Sequence, residues 1–305
     1  MGRVAAVIVT YNRVAKLERV LESVAAQSAR PEWIVVVDNA STDGTAEYLA
    51  VERERLGLEV LRLPTNTGGA GGFSTGMAHA YGLGADAVWI MDDDCYPDAG
   101  ALGQLESGLA EATDDLGRDV PFACSVVVFT DGELCEMNNP TPTWDWGRLL
   151  VKGRRSVLVT ACSFVSVLIP RWALERHGLP YAEYFIWFDD HEYTLRLSRA
   201  EGAGVQVLDS RVVHDMGSNK GVNFSHIDDD NALKFAYGVR NEASYRLHHE
   251  GFAAYVLFCA RVLVLMRRGR VAWRLRRRMI GRLFAGIGFN PRVTRLGGLG
   301  DAGVA

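Results

Sequence analysis

The first hundred residues alternate between two hydrophobic patterns, and that alternation leaves few folds open. Val4–Thr10 (VAAVIVT) is a nearly continuous apolar run rich in β-branched residues, as a strand buried on both faces requires. Leu17, Val20, Leu21 and Val24 then recur at the spacing of one helix face. Ile34–Val37 reads as a second strand ending at Asp38, and Ser41-Thr-Asp-Gly44 opens a helix with capping residues. Leu58–Leu63 predicts a third strand, Phe73–Leu83 a helix and Ala87–Met91 a fourth strand. A βαβαβαβ series predicts an α/β fold: a mostly parallel central sheet, flanking helices, and ligands at the carboxyl ends of the strands.

Beyond Pro121 the period is irregular. Phe122–Phe129 and Val157–Ile169 read as strands on either side of a Pro-, Trp- and Asn-rich stretch (residues 130–156), long enough to be a functional loop. A helix around Asp190–Ala200 and a strand at Val205–Leu208 follow, then two helical segments and a Gly-rich tail. This predicts a larger domain over residues 1–228 and a helical C-terminal region over 229–305. Charge separates the same parts. From Gly251 to Gly300 there are eleven arginines and no Asp or Glu, so a net charge of −4 leaves −15 on the remainder. The five cysteines are scattered without a CxxC pair, which argues against a zinc knuckle or a disulfide framework and for a reducing cytoplasm. The start lacks the pattern of a secretory signal. The longest apolar stretch, Ala253–Met266, is interrupted by Arg261 and falls short of the ~20 residues a bilayer span needs.

Three clusters carry chemistry. Asp92-Asp-Asp94 follows the fourth strand; adjacent carboxylates repel, and hard oxygen ligands at a strand end suit Mg²⁺ or Mn²⁺ bound through a diphosphate. In extended chain Asp92 and Asp94 point the same way and form the natural pair. The plainer reading is a solvated acidic turn. Asn66-Thr-Gly-Gly-Ala-Gly-Gly-Phe73 lies before the third helix; Gly68, Gly69, Gly71 and Gly72 let backbone N–H groups approach a ligand, although the run is neither a dinucleotide fingerprint nor a Walker loop. Close helix–sheet packing is the alternative for one or two of these glycines. Phe188-Asp-Asp-His-Glu-Tyr193 is the second acidic cluster: Asp190 or Asp189 can accept a proton, or simply cap a helix, and Glu192 orients neighbours. His214, just beyond a strand, can be a neutral imidazole ligand or an ordinary structural histidine.

The order of these elements resembles the family 2 glycosyltransferases of the GT-A fold. Thr10-Tyr-Asn-Arg13 comes first, then Val37-Asp-Asn-Ala-Ser-Thr-Asp-Gly44, Asp92–Asp94, Asp189-Asp-His-Glu192 and His214, over roughly residues 3–245. The resemblance implies that Thr10, Tyr11, Arg13, Asp38 and Asn39 hold the nucleotide. It makes Asp92–Asp94 the DxD element, with Asp94 the direct ligand, Asp92 supporting it or the sugar, and His214 the third ligand of Mn²⁺ or Mg²⁺. Asp190 then matches the catalytic base and Asp93 belongs with the donor site. Asn66 and the glycine run are similar to bacterial, including actinobacterial, galactofuranosyltransferases that use UDP-galactofuranose, as is the stretch from Trp187. That resemblance implies inverting transfer to a glycan or a polyprenyl-diphosphate-linked saccharide. The rival readings are a rhamnosyltransferase using dTDP-rhamnose and a non-catalytic nucleotide-sugar or glycan binder.

On the acceptor side, Trp144, Trp146 and Trp187 can stack on sugar faces, or simply pack, with Asp189 and His191 nearby in sequence. Arg267-Arg-Gly-Arg270 and Arg274-x-Arg-Arg-Arg278 alternate with Trp273, Leu275, Leu283 and Phe284, a pattern suited to an anionic membrane surface on the cytoplasmic side. A solvated helix face is the bland alternative. Nothing else in the chain resembles a nucleic-acid reader.

Overall fold

The computed structural model describes residues 2–296; the expected Gly-rich tail lies mostly outside them. The order is β1 (Val4–Thr10), α1 (Val14–Ala25), β2 (Trp33–Asp38), α2 (Thr45–Leu56), β3 (Leu58–Arg62), α3 (Gly68–Gly82), β4 (Ala87–Asp92) and β5 (Cys95–Pro97). There follow α4 (Ala101–Leu116), β6 (Ala123–Phe129), β7 (Thr141–Pro142), β8 (Ser156–Ala161), β9 (Val167–Pro170), α5 (Arg171–His177), α6 (Asp189–Glu201) and β10 (Gly204–His214). Helices α7 (Ala232–Tyr245), α8 (Phe252–Arg268) and α9 (Trp273–Gly288) complete the described chain.

One sheet runs β3-β2-β1-β4-β9-β6-β10-β8-β7, with β5 paired to β10. The first four of these strands are parallel, as the buried apolar runs predict. Beyond β4 the sheet is mixed: β9 is antiparallel to both β4 and β6, β10 is parallel to β6 and antiparallel to β8. Alternate residues of β1 face opposite cores, with Ala6 and Ile8 packing beneath α1 and α4 while Val7 and Val9 pack against α3. Burying each of Val7, Ile8 and Val9 stabilises the fold by about 1.5–3 kcal/mol.

Three expectations are corrected. Val157–Ile169 is two strands, β8 and β9, because the chain turns at Cys162–Ser166 and the halves pair with different neighbours. The glycine run is no loop: α3 begins at Gly68, five residues before the expected start. A Cβ on Gly72 would lie 2.4 Å from Val9 Cγ1, and one on Gly76 2.4 Å from Val7 Cγ1, so these glycines let the helix lie close on the sheet. The C-terminal region holds three helices rather than two, packed around Val239, Phe258, Val262, Met279 and Leu283, and that core already includes Phe224 and Ile227. No helix of the described residues is long and apolar enough to cross a membrane.

Candidate functional site

The site begins where β4 ends. Asp93 and Asp94 form a turn into β5 rather than extended chain, so Asp92 and Asp94 meet because the backbone reverses. Asp93 is buried and accepts hydrogen bonds from Thr10 Oγ1 (2.8 Å), Tyr11 N (3.2 Å) and Arg13 Nη1 (3.1 Å). It therefore ties the end of β1 to the end of β4. Asp94 accepts from Arg13 Nη1 at 2.8 Å, and Lys16 Nζ is 3.7 Å away. The register of β10 on β5 sets His214 opposite Cys95, bringing His214 Nε2 to 3.1 Å from Asp94 Oδ1. Behind the ring, His214 Nδ1 donates to Asn138 Oδ1 at 2.8 Å, a contact that orients the imidazole.

One ligand atom each from Asp92, Asp94, Cys95 and His214 lies within 4.8 Å of the others. Burial, followed by the charge of Asp94, pushes Asp92 up to about 7. Burial also acts to raise Asp94, but His214, Arg13 and Lys16 outweigh it and hold the group below the usual carboxylate range. Burial acts to lower His214, yet its bond to Asp94 prevails and lifts it to about 9. Cys95 is driven well above an ordinary thiol by burial. Two carboxylates and an imidazole oriented from behind suit Mn²⁺ or Mg²⁺ completed by diphosphate oxygens. The neutral thiol does not add to a hard-cation donor set. The residues fit the metal that the resemblance implies.

The second acidic cluster sits on strained backbone. Phe185, Trp187 and Phe188 have φ of 66°, 71° and 74°, a left-handed conformation costing of order 1–3 kcal/mol per non-glycine residue. Phe188 caps α6, whose first residues are Asp189 and Asp190. Burial raises both carboxyls, Asp189 well above the usual range, where the charge of Asp190 adds to the effect. Asp190 Oδ1 accepts from His191 N at 2.7 Å. Glu192 is buried against Arg196 at 2.9 Å, the orienting role expected of it.

Both clusters face one cavity of about 690 Å³, the size of a small-molecule site. Its walls include Asp92, Asp94 and His214 together with Asp189, Asp190, His191 and Trp187. Arg13 and Gly69 also line it. The remaining expected donor residues do not. Tyr11 is exposed on the surface, and Asp38 is buried with Oδ1 accepting from Ser41 N at 2.8 Å. Asp38 Oδ2 has no hydrogen-bond partner, with Arg62 Nε 3.6 Å away. Asn39 and Asn66 hold the start of α3: Asn39 Nδ2 donates to Gly68 O at 2.7 Å, and Asn66 Oδ1 accepts from Gly68 N at 2.8 Å. A Cβ at Gly68 would strike Phe185 O and one at Gly71 would strike Thr67, so packing accounts for these glycines as it does for Gly72. Trp144 and Trp146 are exposed and lie outside the cavity wall.

Asn138, Lys234 and Arg261 carry no mark in the sequence as site residues, although Asn138 falls in the 130–156 stretch flagged as functional. Lys234 of α7 and Arg261 of α8 line the cavity, and the charge of Lys234 favours ionised Asp190.

Several known proteins are similar to this chain. The profile of the family described as "Glycosyl transferase family 2" matches residues 5–160. The galactofuranosyltransferase GlfT1 of Mycolicibacterium smegmatis is 37% identical over 124 residues, covering 40% of this chain and 40% of that protein. GlfT1 of Mycobacterium tuberculosis is 29% identical over 225 residues, 71% of each chain. The chain thus spans less than half of the first relative and about seven-tenths of the second. Residues 1–349 of S. aureus TarS, in a structure with UDP-GlcNAc, superpose with TM-score 0.59 at 16% identity, covering 94% of this chain and 81% of that one. That likeness shows the fold, which is GT-A. The chain is a glycosyltransferase and belongs to glycosyl transferase family 2.

Proposed function

We propose that the protein is an inverting, divalent-metal-dependent glycosyltransferase that moves galactofuranose from UDP-galactofuranose to a hydroxyl of a lipid-linked or cell-surface glycan. The observation that carries this reading is that Asp92, Asp94 and His214 share one cavity with Asp190. The names of the mycobacterial relatives support the donor sugar. A UDP-bound TarS structure and a GalNAc-T7 structure with UDP and Mn²⁺ support a uridine nucleotide and the metal.

Asp92, Asp94 and His214 would hold Mn²⁺ or Mg²⁺, which supplies neutralisation of the departing diphosphate. Arg13 and Lys16, already beside Asp94, add positive charge on the same side. Asp190 accepts the proton of the acceptor hydroxyl as that oxygen bonds to the anomeric carbon and the bond to UDP breaks. Attack from the face opposite the leaving group inverts the centre. A carboxylate raised by burial is a stronger base than one in water. Burial raises the Asp189 carboxyl well above the usual carboxylate range, and it lines the same cavity. His191 and Trp187 line the acceptor side, whereas Trp144 and Trp146 have no part in this reading.

Residues 229–305 act in this proposal as a membrane-surface region, placing the enzyme on the cytoplasmic face beside a polyprenyl-diphosphate-linked acceptor. Leu257, Trp273 and Phe284 are exposed on α8 and α9 in a stretch with arginines and no acidic residue, a composition favoured at anionic bilayers. The test is mass spectrometry of products formed with Mn²⁺, membrane acceptor and each of UDP-galactofuranose, UDP-galactose, UDP-GlcNAc and dTDP-rhamnose. Transfer from UDP-galactofuranose is expected; transfer from dTDP-rhamnose alone would replace the donor assignment.

A further inference from the structure

The strained segment before Asp190 is held from the C-terminal region. Asn241 of α7 is fully buried, and its side-chain amide donates to the carbonyls of Tyr184 (3.0 Å), Ile186 (3.2 Å) and Trp187 (2.8 Å). Its own oxygen accepts from Arg240 Nε at 3.0 Å and Nη2 at 2.7 Å, which fixes the amide with its nitrogen toward the segment. Arg240 Nη2 also donates to Glu183 O at 2.8 Å. The same helix grips the side chains: Tyr237 stacks on Phe185 with centroids 4.6 Å apart, and Phe235 meets Trp187 edge-on at 4.8 Å. Gly238 leaves room for the Trp187 ring, since a Cβ there would lie 2.4 Å from it. On the opposite side, Ala70 N of α3 donates to Phe185 O at 3.1 Å.

We propose that Asn241 is a positioning residue for the transfer reaction. It stabilises the turn in which Phe185, Trp187 and Phe188 have positive φ, which sets the direction in which α6 begins and so the place of the Asp190 carboxylate in the cavity. Left-handed non-glycine residues persist only where their surroundings over-determine them. Here the two N–H bonds of one buried amide are shared among three carbonyls of the turn, those of Ile186 and Trp187 and that of Tyr184, which also accepts from Ile186 N at 2.8 Å. The helical region is therefore part of the catalytic unit, independently of any role at a membrane. This inference rests on the assignment of Asp190 as base.

The test compares Asn241→Asp with Asp190→Asn and the wild type, using the donor and acceptor that give turnover in the panel above. Aspartate keeps the shape of the side chain but opposes three carbonyl oxygens with an acceptor. A misplacement on the scale of 1 Å lowers kcat about 10²-fold. The expected result is a loss of that order in kcat, a KM for donor and a Kd for UDP with Mn²⁺ near wild type, and a displaced acid limb of the kcat–pH profile. A merely structural residue would lower the melting temperature without moving that limb. Wild-type kcat in a folded Asn241→Asp protein overturns the proposal. Should that variant fail to fold, Arg240→Ala decides: it frees the amide to rotate and lowers kcat with UDP binding intact, whereas unchanged kcat overturns the proposal. Full activity in Asp190→Asn would instead remove the base assignment itself, so the two failures are distinguishable.

Discussion

Replacing Gly72 and Gly69 by alanine separates packing from ligand contact within one turn of α3. At Gly72 the new methyl would sit 2.4 Å from Val9 Cγ1 and 3.1 Å from Val9 Cγ2. Val9 lies on the central strand β1 and is itself buried, so the crowding passes into the sheet. Overpacking of this kind costs typically about 1–3 kcal/mol. The better helix propensity of alanine returns up to about 1 kcal/mol, less so near a helix start. A net loss of about 1–2 kcal/mol is expected, and at roughly 2–4 °C per kcal/mol the melting temperature falls by roughly 2–8 °C. At Gly69 the methyl meets only Phe73 Cε2, at 3.9 Å, and stands at the cavity wall. Gly69→Ala should melt near the wild-type temperature but weaken binding of UDP-galactofuranose. Thermal unfolding by circular dichroism and donor binding by calorimetry read the two effects separately. The reasoning fails if Gly72→Ala keeps its melting temperature and loses donor affinity, because the glycine would then serve the ligand rather than the sheet.

Other perturbations address the metal cluster and the basic helices. Asn138→Ala removes the acceptor behind His214 and should raise the Mn²⁺ concentration for half-maximal activity by about 10–100-fold, read from a metal titration. Asp92 is raised in the fold to about 7, so metal-free protein binds a proton there that the unfolded chain releases near pH 4. That group's contribution to stability is complete below the unfolded value and is lost as pH rises toward 7. Asp92→Asn should accordingly stabilise metal-free protein more at pH 8 than at pH 4, as melting curves in chelator would read. Changing Arg274, Arg277 and Arg278 to Glu should abolish sedimentation with phosphatidylglycerol vesicles, each arginine contributing about 1 kcal/mol at an anionic surface, while phosphatidylcholine vesicles bind neither protein.

What could be read ahead of the structure was whatever local pattern dictates. The runs at Val4–Thr10 and Ile34–Val37 are apolar on both faces because helices cover the sheet on both sides, and such strands announce themselves. Asp92, Asp94, Asp190 and His214, which line one cavity, stand out in the sequence by residue type and order. The glycine run misled because its helical state is set by contact with Val7 and Val9, which overrides intrinsic propensity. The break between β8 and β9 was hidden because Cys162–Ser166 contains neither Gly nor Pro. Asn241 was beyond reach altogether: nothing in an Arg-Asn-Glu triplet on a helix marks it as the support of a segment fifty residues earlier. The same holds for Lys234 and Arg261, which reach the cavity only through the packing of α7 and α8.

The proposed transfer turns on the Asp190 carboxylate taking the acceptor proton within the cavity that Asp92, Asp94 and His214 also line. Its most direct measurement is the rate of glycosyl transfer by Asp190→Asn with saturating donor and Mn²⁺, alongside UDP binding. A fall in kcat of about 10²–10⁴-fold with UDP affinity unchanged is expected. Transfer at the wild-type rate would contradict it.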